Sequence, residues 1–267
     1  MKQLIRTWLT VDCDDLRHIP RHHGHPTRTK VPINSKVLSE DFQAGMKGFE
    51  SWMKSHNHPV TLFVIADLLD SNIFKVWLCR MIEEHKTRIT IGCHGLEHKS
   101  WSAWPEDSSG FTTAIIQASK SLQEAVGEAY RPWFRAPAGY MAPWMAPCLK
   151  KCGMIIDSSI NDTVLTKSKS GKGNTWQEVR KSITENALIE REWLTRWKLP
   201  VNGPALSKFP LSVIAKRAWR KLPPVLQPTD LTTVLEDSEK QIKTVYWHIL
   251  DHARKGGNWK PPVPNFN

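Results

Sequence analysis

The 267-residue chain has no apolar run near the ~20 residues needed to cross a bilayer. Its first eleven residues carry two cations and a short strand-like stretch. They lack the long apolar region and small-residue cleavage site of a secretory leader, so the expectation is a cytoplasmic protein. Cysteine is scarce, and no two cysteines form a CxxC pair, which argues against a disulfide framework and a zinc ribbon. Cys13, Cys79, Cys93, Cys148 and Cys152 read as reduced thiols, mostly packing groups. Tyrosine is rare, with three against thirteen tryptophans. Acidic residues are in deficit, 26 against 37 Lys and Arg, and the resulting net charge of +11 favours anionic partners. Those partners are phosphate-bearing small molecules or an anionic membrane surface; no recognised nucleic-acid-binding motif accompanies the charge. No internal repeat is present, and 40% apolar with 24% charged residues is globular composition.

Strand and helix signals alternate along the chain. Residues 4–11 read as a strand, and residues 60–66 form the continuous apolar run of a buried parallel strand. Between them Leu38, Phe42, Met46, Phe49 and Met53 recur at helical spacing. Further helices are expected over 74–85, along Ile115, Ser119, Leu122 and Val126 up to Gly127, and over 144–152. Strands are expected at 88–93, 133–136, 154–156 and 244–250. Residues 166–174 read as a polar linker, after which Thr175 and Glu178 suit a helix-capping box. Leu231, Leu235, Ser238 and Ile242 predict a last helix. A long basic loop at 16–36 contains His18, His22, His23 and His25. Residues 206–228 are basic and apolar without an acid, which suits either an interfacial membrane element or a surface helix with a solvated basic face. Alternation of this kind implies right-handed βαβ units and a parallel sheet or barrel.

Chemistry-bearing residues cluster where strands should end. Asp12, Asp14 and Asp15 follow the first strand, and so many carboxylates at a strand end need a cation or a proton. Asp12 and Asp14 project to one side if the strand continues that far. His94 and His98, four apart, have metal-ligand spacing; with one carboxylate they make a three-ligand site with room for water. The glutamate beside the second histidine is not placed as in HExxH. Arg135 to Tyr140 forms a Pro- and Gly-shaped turn able to expose backbone N–H groups. His248 ends the last strand, followed by Asp251 and His252, whose roles stay open.

Taken in order, LTVDCDD, IGCHGLEH, FRAPAGY and VYWH resemble the signature motifs of the polysaccharide deacetylases of carbohydrate esterase family 4, the NodB-homology fold. The nearest likeness is to the branch with Asp-x-Asp in its first motif, which includes the ArnD-like deformylases of an undecaprenyl-phosphate-linked formamido-arabinose. The resemblance implies an α/β fold, a distorted, incomplete (β/α) barrel, spanning residues 1–255 with a basic apolar insertion at 206–228 and an irregular tail at 256–267. It implies Asp12 as catalytic base, Arg135 as the arginine orienting it and His248 as general acid. The backbone N–H of Ala138 matches the oxyanion donor, and Asp14, His94 and His98 match the ligands of one divalent metal ion, expected to be Zn²⁺. Cys13, inserted between the aspartates, leaves Asp15 open as the ligand in place of Asp14. The implied reaction is metal-assisted removal of an acetyl or formyl group from the nitrogen of an amino sugar, with a lipid- or phosphate-linked substrate and peripheral contact with the inner face of the membrane. The alternatives are an amidase for a small nitrogen compound on the same fold, and an inactive sugar-binding module.

Overall fold

The computed structural model describes residues 5–264. Seven parallel strands form one sheet: β1 Arg6–Cys13, β2 Val60–Val64, β3 Ile89–Cys93, β4 Tyr130–Phe134, β5 Ile156–Asp157, β6 Ile189–Glu190 and β9 Ile242–His248. Their spatial order is β6-β5-β4-β3-β2-β1-β9. A small antiparallel hairpin, β7 Thr195–Arg196 with β8 Leu199–Pro200, lies outside that sheet. Trp193, just past β6, bridges to Thr244 in β9, so the sheet curls until its two ends meet. The result is a distorted, incomplete (β/α) barrel, as expected. Its helices are α1 Glu40–Met53, α2 Asn72–Glu84, α3 Ser108–Val126, α4 Met145–Lys151, α5 Trp176–Glu185 and α6 Leu211–Trp219.

The two-residue period of the strands decides what each face does. In β1, Leu9, Val11 and Cys13 join the large core beneath the helices, while Trp8 joins a smaller cluster with Phe63 and Trp133 inside the curl. Those rings meet edge-on, Trp8 lying 5.7 Å from each of the other two. Further along the inner face come Thr10 and then Asp12. The inner faces of β4 and β9 continue in the same way from Trp133 to Arg135 and from Tyr246 to His248. Gly92 is bare because Phe63 occupies its space: a Cβ there would lie 2.7 Å from the ring. Hydrophobic side chains therefore fill the lower part of the curl, and polar ones emerge at the carboxyl ends of the strands.

Helix α1 sets the position of the end of β9. Its Gly45 and Gly48 lie against the 3₁₀ turn Ile249–Ala253, where added Cβ atoms would sit 2.4 Å from the Ile249 carbonyl oxygen and 2.7 Å from that of His252. His252 is buried there against Phe49, Trp52 and Trp259, and it accepts a 2.9 Å hydrogen bond from the Trp247 indole. Burial lowers its pKa from 6.5 to about 4. The unfolded chain therefore binds the extra proton first, and stability falls as pH drops from about 6.5 towards 4. Between pH 7.5 and 5 the wild type should lose about 2 kcal/mol more than His252→Gln in urea unfolding. Parallel pH profiles of the two proteins would contradict this assignment.

Most of the expected elements form, with shifted ends. Leu4 lies outside the described residues, and β1 continues through Cys13 rather than stopping at Val11. The Thr175–Glu178 capping box is present at α5. Two expectations are corrected. Residues 231–241 are a run of turns, not a helix, and Ile242 opens β9. The buried Arg191 guanidinium takes the carbonyls of Leu235, Asp237 and Lys240 as acceptors, holding that backbone in a non-helical path. Residues 166–174 are not a free linker, because Lys167–Ser170 forms a 3₁₀ turn packed against the chain after β4. Among the described residues no helix is long and apolar enough to cross a membrane.

Candidate metal and hydrolytic centre

Asp12, Asp14, His94, Arg135 and His248 all emerge at the same rim of the sheet, because each occupies or follows an inward position of its strand. Asp12 lies opposite His248 in the β1–β9 register. Arg135, fully buried, donates through Nη1 to Asp12 Oδ1 at 2.6 Å. Its other nitrogens donate to the Ser158 carbonyl at 3.1 Å and the Ser158 hydroxyl at 2.9 Å. The guanidinium carbon also lies 4.2 Å from the centre of the Phe63 ring. Held on several sides, Arg135 fixes the Asp12 carboxylate in one orientation.

Asp14 stands between two imidazoles. Its oxygens lie 3.4 Å from His94 Nε2 and 3.4 Å from His98 Nε2, and the three donor atoms fall within 4.8 Å of one another. Asp14 Oδ1, His94 Nε2 and His98 Nε2 are buried without a hydrogen-bond partner. His94 Nδ1 is 2.8 Å from the Arg135 carbonyl, an acceptor, so Nδ1 carries the proton and the Nε2 lone pair faces Asp14. A lone pair aimed at a carboxylate oxygen is unfavourable unless a cation lies between them. Burial also lowers the His94 pKa, which favours the neutral form a metal requires. Burial opposes ionisation of Asp14, but His98 and His94 outweigh it and hold the carboxyl well below the usual range. The donor set therefore fits a divalent ion with two nitrogens and a carboxylate.

Asp15 turns the other way. It accepts from the backbone N–H of Leu16 at 2.6 Å, from the Ser39 N–H at 3.1 Å and from the Ser39 hydroxyl. It ties β1 to the start of α1 and stays apart from the histidine pair. Cys13 lies on the opposite face of β1, in the core.

Ala138 has a left-handed backbone, φ +51°, in the turn after β4. Across the rim, His248 Nε2 lies 3.9 Å from Asp14 Oδ2. Asp251 Oδ2 accepts from the His248 backbone N–H at 3.0 Å and lies 3.4 Å from its Nδ1. Burial would lower the His248 pKa, yet the hydrogen bond and charge of Asp251, with Asp14 and Asp12 beyond, push it up to about 9. Arg254 pairs with the other Asp251 oxygen at 3.1 Å. The arrangement thus places a fixed carboxylate, an Asp251-paired imidazole and a cation-ready ligand set side by side at the rim.

Sequence reasoning left Asp251 without a role and did not single out Ser158 or Lys169. Asp251, three residues past a strand-ending histidine, was the one signal available; Ser158 and Lys169 carry none.

Residues 43–155 match the family model for polysaccharide deacetylase. His94, His98, Arg135 and Ala138 lie inside that match, whereas Asp12, Asp14 and His248 lie outside it. A comparison with curated proteins returned no match. Among solved structures, the chain is similar to a Mycobacterium smegmatis protein assigned as a polysaccharide deacetylase, at 17% identity and TM-score 0.56, covering 96% of this chain and 81% of that one. A Pseudomonas aeruginosa PAO1 protein assigned likewise is similar at 12% identity and TM-score 0.55, with the same coverage. The allantoinase PuuE is similar at 12% identity and TM-score 0.56, also over 96% and 81%. At such identities the likeness establishes the fold.

Proposed function

We propose that this chain, whose residues 43–155 match the family model for polysaccharide deacetylase, is a metal-dependent hydrolase that removes an acetyl or formyl group from the nitrogen of an amino sugar. The observation that carries the proposal is the set of unpartnered donor atoms on Asp14, His94 and His98, beside an Arg135-held Asp12 and an Asp251-held His248. Asp14, His94 and His98 would hold the ion. Once bound, it would supply Lewis acidity towards the amide carbonyl and lower the pKa of water. Asp12, oriented by Arg135, takes a proton from the attacking water. The Ala138 N–H donates to the oxyanion, a contact typically worth ~10²–10³ in rate. His248, protonated through its pairing with Asp251, gives its proton to the leaving amine so that the amide does not re-form.

The finer reading is a lipid- or phosphate-linked sugar, in line with the ArnD-like resemblance, met at an anionic membrane surface. Its support is the face built from α6 and the β7–β8 hairpin. A groove of about 760 Å³ there is lined by Arg196, Arg217, Arg220, Lys221 and Lys243, with no acid. Trp197 in the same lining and Phe209 before α6 are 71% and 84% exposed, the pattern of an interfacial element.

The test is release of acetate and formate from N-acyl amino sugars by Zn²⁺-loaded protein, with each substrate free in solution and held on anionic vesicles. Release that a chelator abolishes is expected. No release from any amino sugar, with hydrolysis of a small ureide or amide instead, would leave the amidase alternative. Binding of sugars without release of either acid would leave the inactive module.

A further inference from the structure

Two cations stand beside the proposed oxyanion loop without a carboxylate partner among the described residues. Lys169 Nζ donates to the Ala138 carbonyl at 2.6 Å, leaving two of its three protons uncommitted. Arg28 Nη1 donates to the Tyr140 hydroxyl at 3.4 Å. That hydroxyl also lies 3.0 Å from His25 Nε2. His25 Nδ1 accepts from the N–H groups of Thr27 and Arg28, so Nε2 carries the proton and donates to Tyr140. The tyrosine is thus an acceptor on two sides, and its own proton is uncommitted. The Lys169 ammonium stands 5.3 Å from the Tyr140 ring centre. Burial first, then the charge of Arg28, pulls the Lys169 pKa down to about 8. The same two cations, after burial, lower the His25 pKa.

Lys169 is half-buried and Arg28 exposed, so the pair stands at the surface with its remaining donors open to an anion that could join both. The long basic loop and the Lys167–Ser170 turn come from distant parts of the sequence, and both end on the loop that carries Ala138. We propose that Lys169, Arg28 and the Tyr140 hydroxyl form a phosphate subsite at the edge of the hydrolytic centre. There it receives a phosphate group attached to the amino sugar whose amide is cleaved. Two cations and a hydroxyl donor suit a phosphate dianion better than an uncharged sugar hydroxyl. The inference rests on the amino-sugar reading for the rest of the ligand but not for the subsite itself.

The experiment measures binding to the Zn²⁺-loaded 267-residue chain of N-acetylglucosamine 1-phosphate, N-acetylglucosamine and inorganic phosphate. Wild type, Arg28→Gln and Lys169→Gln are compared. The sugar phosphate should bind at least about 10-fold more tightly than the sugar in the wild type, as expected for charge-assisted hydrogen bonds. Each substitution should remove most of that preference. Arg28 is exposed and its side chain, among the described residues, bonds only to the Tyr140 hydroxyl, so Arg28→Gln should keep the wild-type melting temperature and sugar affinity. It separates an anion subsite from a Lys169 that merely braces the Ala138 loop. Equal affinity for the two sugars, or a preference that survives Arg28→Gln, would overturn the proposal. Inorganic phosphate bound in an Arg28-dependent way, with neither sugar bound, would uphold the subsite and reject the amino-sugar reading.

Discussion

Asp12→Asn should lower kcat by about 10³, within the 10²–10⁴ contributed by a positioned general base, while KM and bound metal stay close to wild type. The substitution keeps the shape of the side chain and an oxygen for the Arg135 contact, but it removes the carboxylate charge and with it the ability to accept a proton. Asp12 lies at the same rim, on β1, and is not among the three residues whose donor atoms converge. Steady-state kinetics together with metal analysis of the same preparation checks both halves. Turnover within about 10-fold of wild type would remove Asp12 from the role of base.

Arg135→Met should be the most destabilising single change at the centre. It strands the Asp12 carboxylate, 3% exposed, without its 2.6 Å partner and takes one donor from the Ser158 hydroxyl and one from the Ser158 carbonyl, which keeps the Trp193 indole. Breaking a buried pair by removing one member costs about 3–5 kcal/mol, because the remaining charge is uncompensated. The double variant Asp12→Asn/Arg135→Met should recover part of that loss, since the stranded group is then neutral. Urea unfolding of the two single variants and the double variant measures the coupling. Additive losses would mean that the pair is not energetically joined.

The reach of the sequence differs from one part of the molecule to another. The βαβ alternation was legible because parallel strands buried on both faces read as apolar runs and the helices keep one apolar stripe. The two-residue strand period also put Asp12 and Asp14 on one side, and the structure brings Asp14 to the histidine pair. That period does not show that Asp15 would be consumed by Ser39, because Ser39 is supplied from beyond a long loop. The supposed helix through Leu231 and Leu235 failed for a related reason. Two buried leucines four apart satisfy a helical pattern, but Arg191, more than forty residues away, takes the carbonyls that a helix would need. Strand β6, of two residues, is too short to produce a periodic signal, whereas β5 shows as the short apolar run at 154–156. Lys169 lay in a segment that reads as polar and glycine-bearing, and its contact with Ala138 exists only once the loop has packed.

The central claim is that Asp14, His94 and His98 hold one divalent ion while Asp15 does not. Its most direct test is bound-metal stoichiometry, by elemental analysis after dialysis against Zn²⁺ and then buffer, for the wild type and for Asp14→Asn, His94→Ala, His98→Ala and Asp15→Asn. Near one equivalent is expected in the wild type and Asp15→Asn, with most of the metal lost from the other three. Metal retained in both histidine variants, or lost from Asp15→Asn and kept by Asp14→Asn, would contradict it.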